Sequence, residues 1–115
     1  MSLQGFYTTQ GLALAAKIAA GTKLTVTKVT AGSGTTAAGD SVLAGTKQTL
    51  TVGEAAVSAQ TAALPVTLAE AKATASYTLT ELGVYASDPD AGEILYQVFR
   101  LDEARAITAG GENVY

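Results

Sequence analysis

Residues 77–100 leave the chain few choices. Tyr77, Leu79 and Tyr85 fall on one parity, and Leu82 and Val84 fall on the other. A strand here carries apolar side chains on both faces and needs cover on both sides. Asp88-Pro89-Asp90-Ala91-Gly92 follows. In such a run proline presets a turn dihedral, aspartate bonds its own backbone and glycine reaches left-handed φ. Residues 93–100 alternate again, with Ile94, Tyr96 and Val98 on one face and Leu95 and Phe99 on the other. The pattern predicts a β-hairpin over 77–100, closed by a five-residue turn.

Upstream, residues 8–20 read as a helix. Leu14 and Ile18 lie four apart, and Leu12, Ala15 and Ala19 continue the apolar stripe. Thr8 or Thr9 can cap the first amides, and Gly21 stands where a left-handed residue ends a helix. Residues 23–30 switch to period two, with Leu24 and Val26 between Thr25 and Thr27. Val29 breaks the phase, which predicts a bulge or a change of buried face. Residues 31–39 are Gly, Ser, Thr and Ala, a loop by composition. A short strand is expected at 48–52, and another at 62–68, where Pro65 confines it to an edge. Residues 53–63 carry no legible period. The final Asn113-Val114-Tyr115 reads as the opening of a further strand, so either a longer parent chain or an ending in an edge strand is expected.

These elements predict an α+β fold: an N-terminal helix packed on a mainly antiparallel β-sheet or small β-sandwich. At 115 residues the chain fits one domain, 1–115. Much of its 48% hydrophobic content is alanine, and aromatics supply only 6%. A core of small side chains buries little area per residue, which favours further burial in an oligomer.

The absent residue types exclude whole classes of chemistry. Without cysteine there is no disulfide framework and no thiolate metal site. Without histidine there is no Ser-His-Asp triad and no imidazole-ligated zinc. Seven Lys and Arg spread over the chain do not make the basic footprint of a nucleic-acid binder. The longest apolar stretch, 12–20, is interrupted by Lys17 and is too short for a bilayer. The start, Met1-Ser2-Leu3-Gln4-Gly5, has no signal-peptide pattern.

Five local patterns invite a sharper reading. Asp88, Asp90 and Glu93 place three carboxylates close together, as calcium loops do, but Pro89 intervenes and the twelve-residue ligand pattern is missing. A solvated turn is the better reading. Gly32-Ser33-Gly34 lacks a third glycine, because Ala37 stands there, and 39–47 misses a P-loop because Thr46 separates Gly45 from Lys47. The repeated tetrapeptide at 20–23 and 44–47 is chance similarity in an Ala/Gly/Thr-rich chain. Tyr77, Tyr85 and Tyr96 could stack bases, but without a basic groove they read as core or interface side chains.

Glu81 is the residue of most interest, a carboxylate in an apolar strand, where burial is costly. One reading is a general acid or base. The favoured one is structural: a partner for a backbone amide, a tyrosine or Arg100 on the neighbouring strand, or a contact between subunits. Gly83, between Leu82 and Val84, marks a bulge or a close backbone approach. Glu81, Gly83, Tyr85, Tyr77, Tyr96 and Phe99 are therefore the candidate interface or structural residues. No catalytic, cofactor or metal residues are assigned.

Two segments resemble the N-terminal domain of phage tail-collar fibre proteins. One is Thr9-Gln10-Gly11, the Ala-rich helix, Lys23-Leu24-Thr25-Val26-Thr27-Lys28-Val29 and Ala31-Gly32-Ser33-Gly34. The other is Glu81-Leu82-Gly83-Val84-Tyr85, an acidic turn, then Ala91-Gly92-Glu93-Ile94-Leu95. The Ala-rich middle, 52–74, departs from the family pattern. The resemblance implies the base of a fibre in the virion tail, assembled in the bacterial cytoplasm. It implies a baseplate or tail protein as partner and a homo-oligomer, a trimer in the full fibre. Apolar edges and the 77–100 hairpin would do the docking. A β-rich bacterial surface or adhesion module is the alternative, since Ala/Thr/Gly-rich, cysteine-free chains occur there too. An enzyme would need a polar cluster converging on Glu81.

Overall fold

Strand pairing is set by the segment whose two faces are both apolar. In a computed structural model, which describes residues 3–52, 56–58, 61–63, 66–68, 73 and 75–111, that segment lies at the centre of the sheet. The chain runs β1 (Leu3–Tyr7), α1 (Thr9–Ala19), β2 (Val26–Gly32), β3 (Thr46–Thr49), β4 (Thr51–Val52), β5 (Ala56–Ser58), β6 (Thr61–Ala63), β7 (Val66–Thr67), β8 (Tyr77–Asp88) and β9 (Gly92–Ile107). Five strands form one antiparallel sheet in the order β1-β9-β8-β2-β3. With α1 packed on it, the fold is α+β.

The hairpin forms, but it is longer and tighter than its pattern predicts. Asp88 pairs with Gly92, so three residues close it rather than five, and β9 continues to Ile107 instead of ending at Arg100. Asp88 Oδ1 accepts the amides of Asp90 at 2.8 Å and Ala91 at 3.3 Å, which folds the turn from within. Gly92 sits at φ +78°, where a side chain is strained.

Local chemistry also sets both ends of α1. The Thr8 hydroxyl accepts Gly11 N–H at 2.9 Å, satisfying an orphan amide of the first turn. At the other end Gly21 takes φ +118°, and the amides of Gly21 and Thr22 bond the carbonyls of Ile18 and Lys17. This is the paired arrangement of a glycine-capped C-terminus. The buried stripe is narrower than the spacing predicts: Leu14 is fully enclosed, Ile18 and Ala15 pack beside it, but Leu12 is 58% exposed.

Elsewhere the structure shifts the expected boundaries. β2 starts at Val26, leaving Leu24 exposed, and runs on through Ala31 and Gly32. Its register against β8 slips between Val26 and Lys28, the irregularity that puts Val29 out of phase. The expected strand at 48–52 is two strands, β3 and β4, divided at buried Leu50. The 62–68 strand is likewise split: Thr61–Ala63 pairs with Ala56–Ser58, and Val66–Thr67 pairs with Thr51–Val52. Pro65 and residues 112–115 lie outside the described residues. β1 has no strong sequence signal, and its Gly5 lies under the Phe99 ring, where a Cβ would come within 2.6 Å of Cε1.

Alternation on β8 and β9 divides the core. Leu14, Ala86, Ile94 and Tyr96 pack under the helix. Val84 joins that group to a second one, Val29, Ala31, Leu50, Leu68, Ala73, Leu79 and Ile107. Tyr85, Leu95 and Val98 form a separate group with Leu43 and Phe6. Tyr85 and Ala86, like Leu95 and Tyr96, are strand neighbours on opposite faces, so this last group lies across the sheet from the helix. The register slip at Val84–Tyr85 brings Val98, paired with Gly83, to the Leu95 face and Phe99, paired with Leu82, to the other, the reverse of what strict alternation predicts. β8 is thus covered on both sides.

Candidate functional site

What covers the second face is residues 33–45, a loop that leaves β2, crosses β8 and β9, and returns to β3. Glu81, Gly83 and Tyr85, at alternate positions of one strand, hold this strap to the sheet. Glu81 Oε1 accepts the Thr36 hydroxyl at 2.6 Å, and Oε2 accepts the Thr36 amide at 3.1 Å. The Thr36 hydroxyl in turn accepts Ala44 N–H at 2.8 Å, tying the two limbs of the strap together. Two residues on, Gly83 leaves room for Leu43, whose Cδ1 would be 3.2 Å from a Cβ there. Two residues further, the Tyr85 hydroxyl accepts Leu43 N–H at 2.9 Å.

Arg100 completes the clamp. It pairs across the strands with Glu81, its Nε lies 3.5 Å from Oε2, and its guanidinium also donates to the Thr36 carbonyl. The Phe6 ring lies under it, with the guanidinium carbon 4.9 Å from the ring centroid. The Arg100 side chain is 44% exposed and that of Glu81 only 1%. The cation therefore screens the carboxylate from water at the rim. Both carboxylate oxygens accept hydrogen bonds from within the protein.

The strap extends past β9 to the helix. Thr9 N–H donates to Ala38 O at 2.7 Å. Beside it, Gly11 lies on β9 so closely that a Cβ would stand 1.9 Å from Tyr96 O. The Thr8 hydroxyl donates to Leu95 O, and Thr8 N–H bonds Tyr96 O at 3.3 Å. Alanine-rich composition lets the helix approach, and the single glycine brings it to backbone contact.

The three carboxylates of the turn are held by lysines. Lys17 Nζ lies 2.7 Å from Asp88 Oδ1 and 2.6 Å from Asp90 Oδ2, fastening the last turn of α1 to the hairpin. The hydrogen bond from Lys17, helped by the Asp90 amide, holds the Asp88 carboxyl below its ordinary value, and the two carboxylates raise Lys17. Glu93 lies 3.2 Å from Lys28 Nζ; bonds from Thr27 and Lys28 lower its carboxyl, and the same ammonium stands 4.6 Å over the Tyr85 ring. Among the described residues no group of three acidic ligands is placed to hold a metal. Gly32 and Gly34 are packed against Ala44 rather than opened towards a phosphate.

The structure brings together Glu81, Gly83 and Tyr85 in the clamp, with Phe99 pairing opposite Leu82 and packed on Gly5. Tyr77 lies apart, its hydroxyl donating to Gln48 Oε1 at 2.8 Å. Tyr96 is under the helix, edge-on to Tyr7 at 5.3 Å, and burial with that contact pushes its hydroxyl up to about 12. Tyr85 and Tyr96 are buried within the chain itself. The hairpin itself is central in the sheet, paired with β2 on one side and β1 on the other. Thr36 and Arg100 were reachable only in part: Arg100 sits opposite Glu81 by hairpin register, whereas Thr36 has no signal. Leu43, the lone large buried side chain in a Gly/Ser/Ala segment, is the signal that this loop is packed.

Fold and clamp together define an α+β protein with a helix on one sheet face and a latched loop on the other. Comparison with family models, with curated proteins and with solved structures finds no match.

Proposed function

We propose that this chain is a contact-making structural module, the fibre-base domain that attaches a phage or prophage tail fibre to the baseplate or tail tip. The observation that carries the reading is where the two resembling segments lie. The Thr9-Gln10-Gly11 helix start packs on β9, which runs directly from the Ala91–Leu95 stretch. The strap that begins at Ser33-Gly34 is held by Glu81, Gly83 and Tyr85. The residues behind the resemblance thus interlock as one unit, as motif residues of a scaffold would. The enclosed Glu81 supports a role in shape rather than turnover.

With the hairpin central in the sheet and Tyr85 and Tyr96 buried, the exposed apolar residues favour docking elsewhere. Among the described residues, exposed Tyr7, Leu12, Leu24 and Val42, and the sheet edges at β1 and β3, offer surface to a tail protein or a sister subunit. The experiment is immunogold labelling of purified phage particles from the source strain with antibody raised against this chain. Gold at the tail tip supports the reading. Particles that carry the gene but bind no gold, before and after mild detergent opening of the tail, reject it.

A further inference from the structure

We propose that the strap and the start of α1 open and close as one unit, latched by Glu81. This does not depend on the attachment role. The strap is held to the rest of the protein at four residues: Gly34 at its base, whose carbonyl accepts the Thr80 hydroxyl at 3.0 Å, then Thr36 on Glu81 and Arg100, Ala38 on Thr9, and Leu43 on Gly83, Tyr85 and the Thr46 hydroxyl. Its remaining side chains are largely outward, with Thr35, 37–39, Ser41 and Val42 exposed. Few buried contacts mean that local opening takes far less free energy than global unfolding.

The tip moves as a piece. Asp40 Oδ2 accepts Ala37 N–H at 2.8 Å and Asp40 N–H bonds Ala37 O at 3.0 Å, so 37–40 is a closed turn. At the base, Ser33 N–H bonds Gly45 O at 3.2 Å, and Gly45 takes φ +62°. Releasing Thr36 therefore lifts the tip on this base and withdraws the Ala38 carbonyl from Thr9. The helix start, then tied down only through Thr8, opens with the strap, and the apolar face of Leu95 and Val98 is uncovered.

Native-state hydrogen exchange on the intact chain tests the coupling. In Glu81→Gln the amides of Leu43 and Ala44 are expected to exchange roughly ten- to a hundredfold faster, the loss of a charge-assisted bond. Those of Thr9, Gly11 and Leu12 should accelerate by a similar factor, and Val84 in the central strand by much less. Faster strap amides with an unchanged helix start overturn the proposal. Equal acceleration at Val84 overturns it too, because the change is then global. Thr9→Pro supplies the control: proline suits the first helical position but has no N–H for Ala38. In the Thr9→Pro, Glu81→Gln double variant the strap should still respond and the helix start should not. If Glu81→Gln does not fold, the wild type decides. Strap and helix-start amides must share one denaturant slope, shallower than that of Val84, and two distinct slopes reject the unit.

Discussion

Glu81 and Thr36, 45 residues apart in the chain, meet through two hydrogen bonds, one from a hydroxyl and one from a backbone amide. The carboxylate thus substitutes for a strand partner that the loop lacks. Removing it leaves a buried amide and hydroxyl without acceptors. Glu81→Ala is expected to lower stability by about 2–3 kcal/mol. Arg100→Ala should lower it by no more than about 1 kcal/mol, because the guanidinium is half-exposed and its pairing is screened. Urea denaturation of both variants checks the order, and equal losses contradict it.

Gly11 and Gly39 offer opposite outcomes for one substitution. Alanine is the better helix former by about 1 kcal/mol, yet at Gly11 its Cβ would collide with Tyr96 O. Gly11→Ala should destabilise by more than about 2 kcal/mol, since the helix must lift from β9. At Gly39 nothing lies within 4 Å and φ is not left-handed, so Gly39→Ala should be neutral or stabilising by up to about 1 kcal/mol. Denaturation midpoints at unchanged slope make the comparison.

Gly83 and Leu43 share one space. Gly83→Ala brings a methyl to 3.2 Å from Leu43 Cδ1 and Leu95 Cδ1, tighter than ordinary contact. Leu43→Ala removes the Leu43 part of that crowding and leaves the Leu95 part. A double-mutant cycle should show Gly83→Ala less harmful in the Leu43→Ala background, with a coupling of about 0.5–2 kcal/mol. Additive effects would show that the strap does not seat on Gly83.

Thr30 carries a buried hydroxyl with no hydrogen-bond partner among the described residues. Thr30→Val keeps the shape and removes the unsatisfied group. It should raise stability by roughly 1 kcal/mol, read as an upward shift in the thermal midpoint.

Stability should fall at both ends of the pH range, for identifiable reasons. Asp88 titrates below its ordinary 3.8 when folded, so its contribution is present above that value and is lost as pH falls through the lowered folded value. Asp88→Asn should flatten the acid limb. Tyr96 is raised from 10.0 to about 12, so its contribution is complete below pH 10 and disappears as pH rises towards 12. Lys17, raised above 10.5, acts in the same alkaline direction. Tyr96→Phe should flatten part of the alkaline limb, leaving the Lys17 part. Denaturation across pH reads both slopes.

How much of this was legible follows from range. The helix with its Thr8 cap and Gly21 stop, the hairpin turn at Asp88 and the double-sided apolar strand are settled by neighbours within a few residues, and their chemistry is visible in the chain. Boundaries drifted where pairing overrode local pattern. β9 runs to Ile107 because β8 is there to pair with it, and Leu12 stays exposed because only one narrow stripe of α1 meets the sheet. Glu81 could be singled out as a carboxylate out of place, and Arg100 as its cross-strand neighbour.

Sequence by itself therefore determined the kinds of element, their caps and turns, and the need for cover on both faces of the central strand. Only the tertiary structure decided what that cover is. That Thr36, Ala38 and Leu43 of an unremarkable Gly-rich loop meet Glu81, Thr9, Gly83 and Tyr85 depends on contacts distant in sequence. Such contacts leave no period or spacing in the chain, because loop closure lets almost any flexible segment reach across a sheet at similar entropic cost.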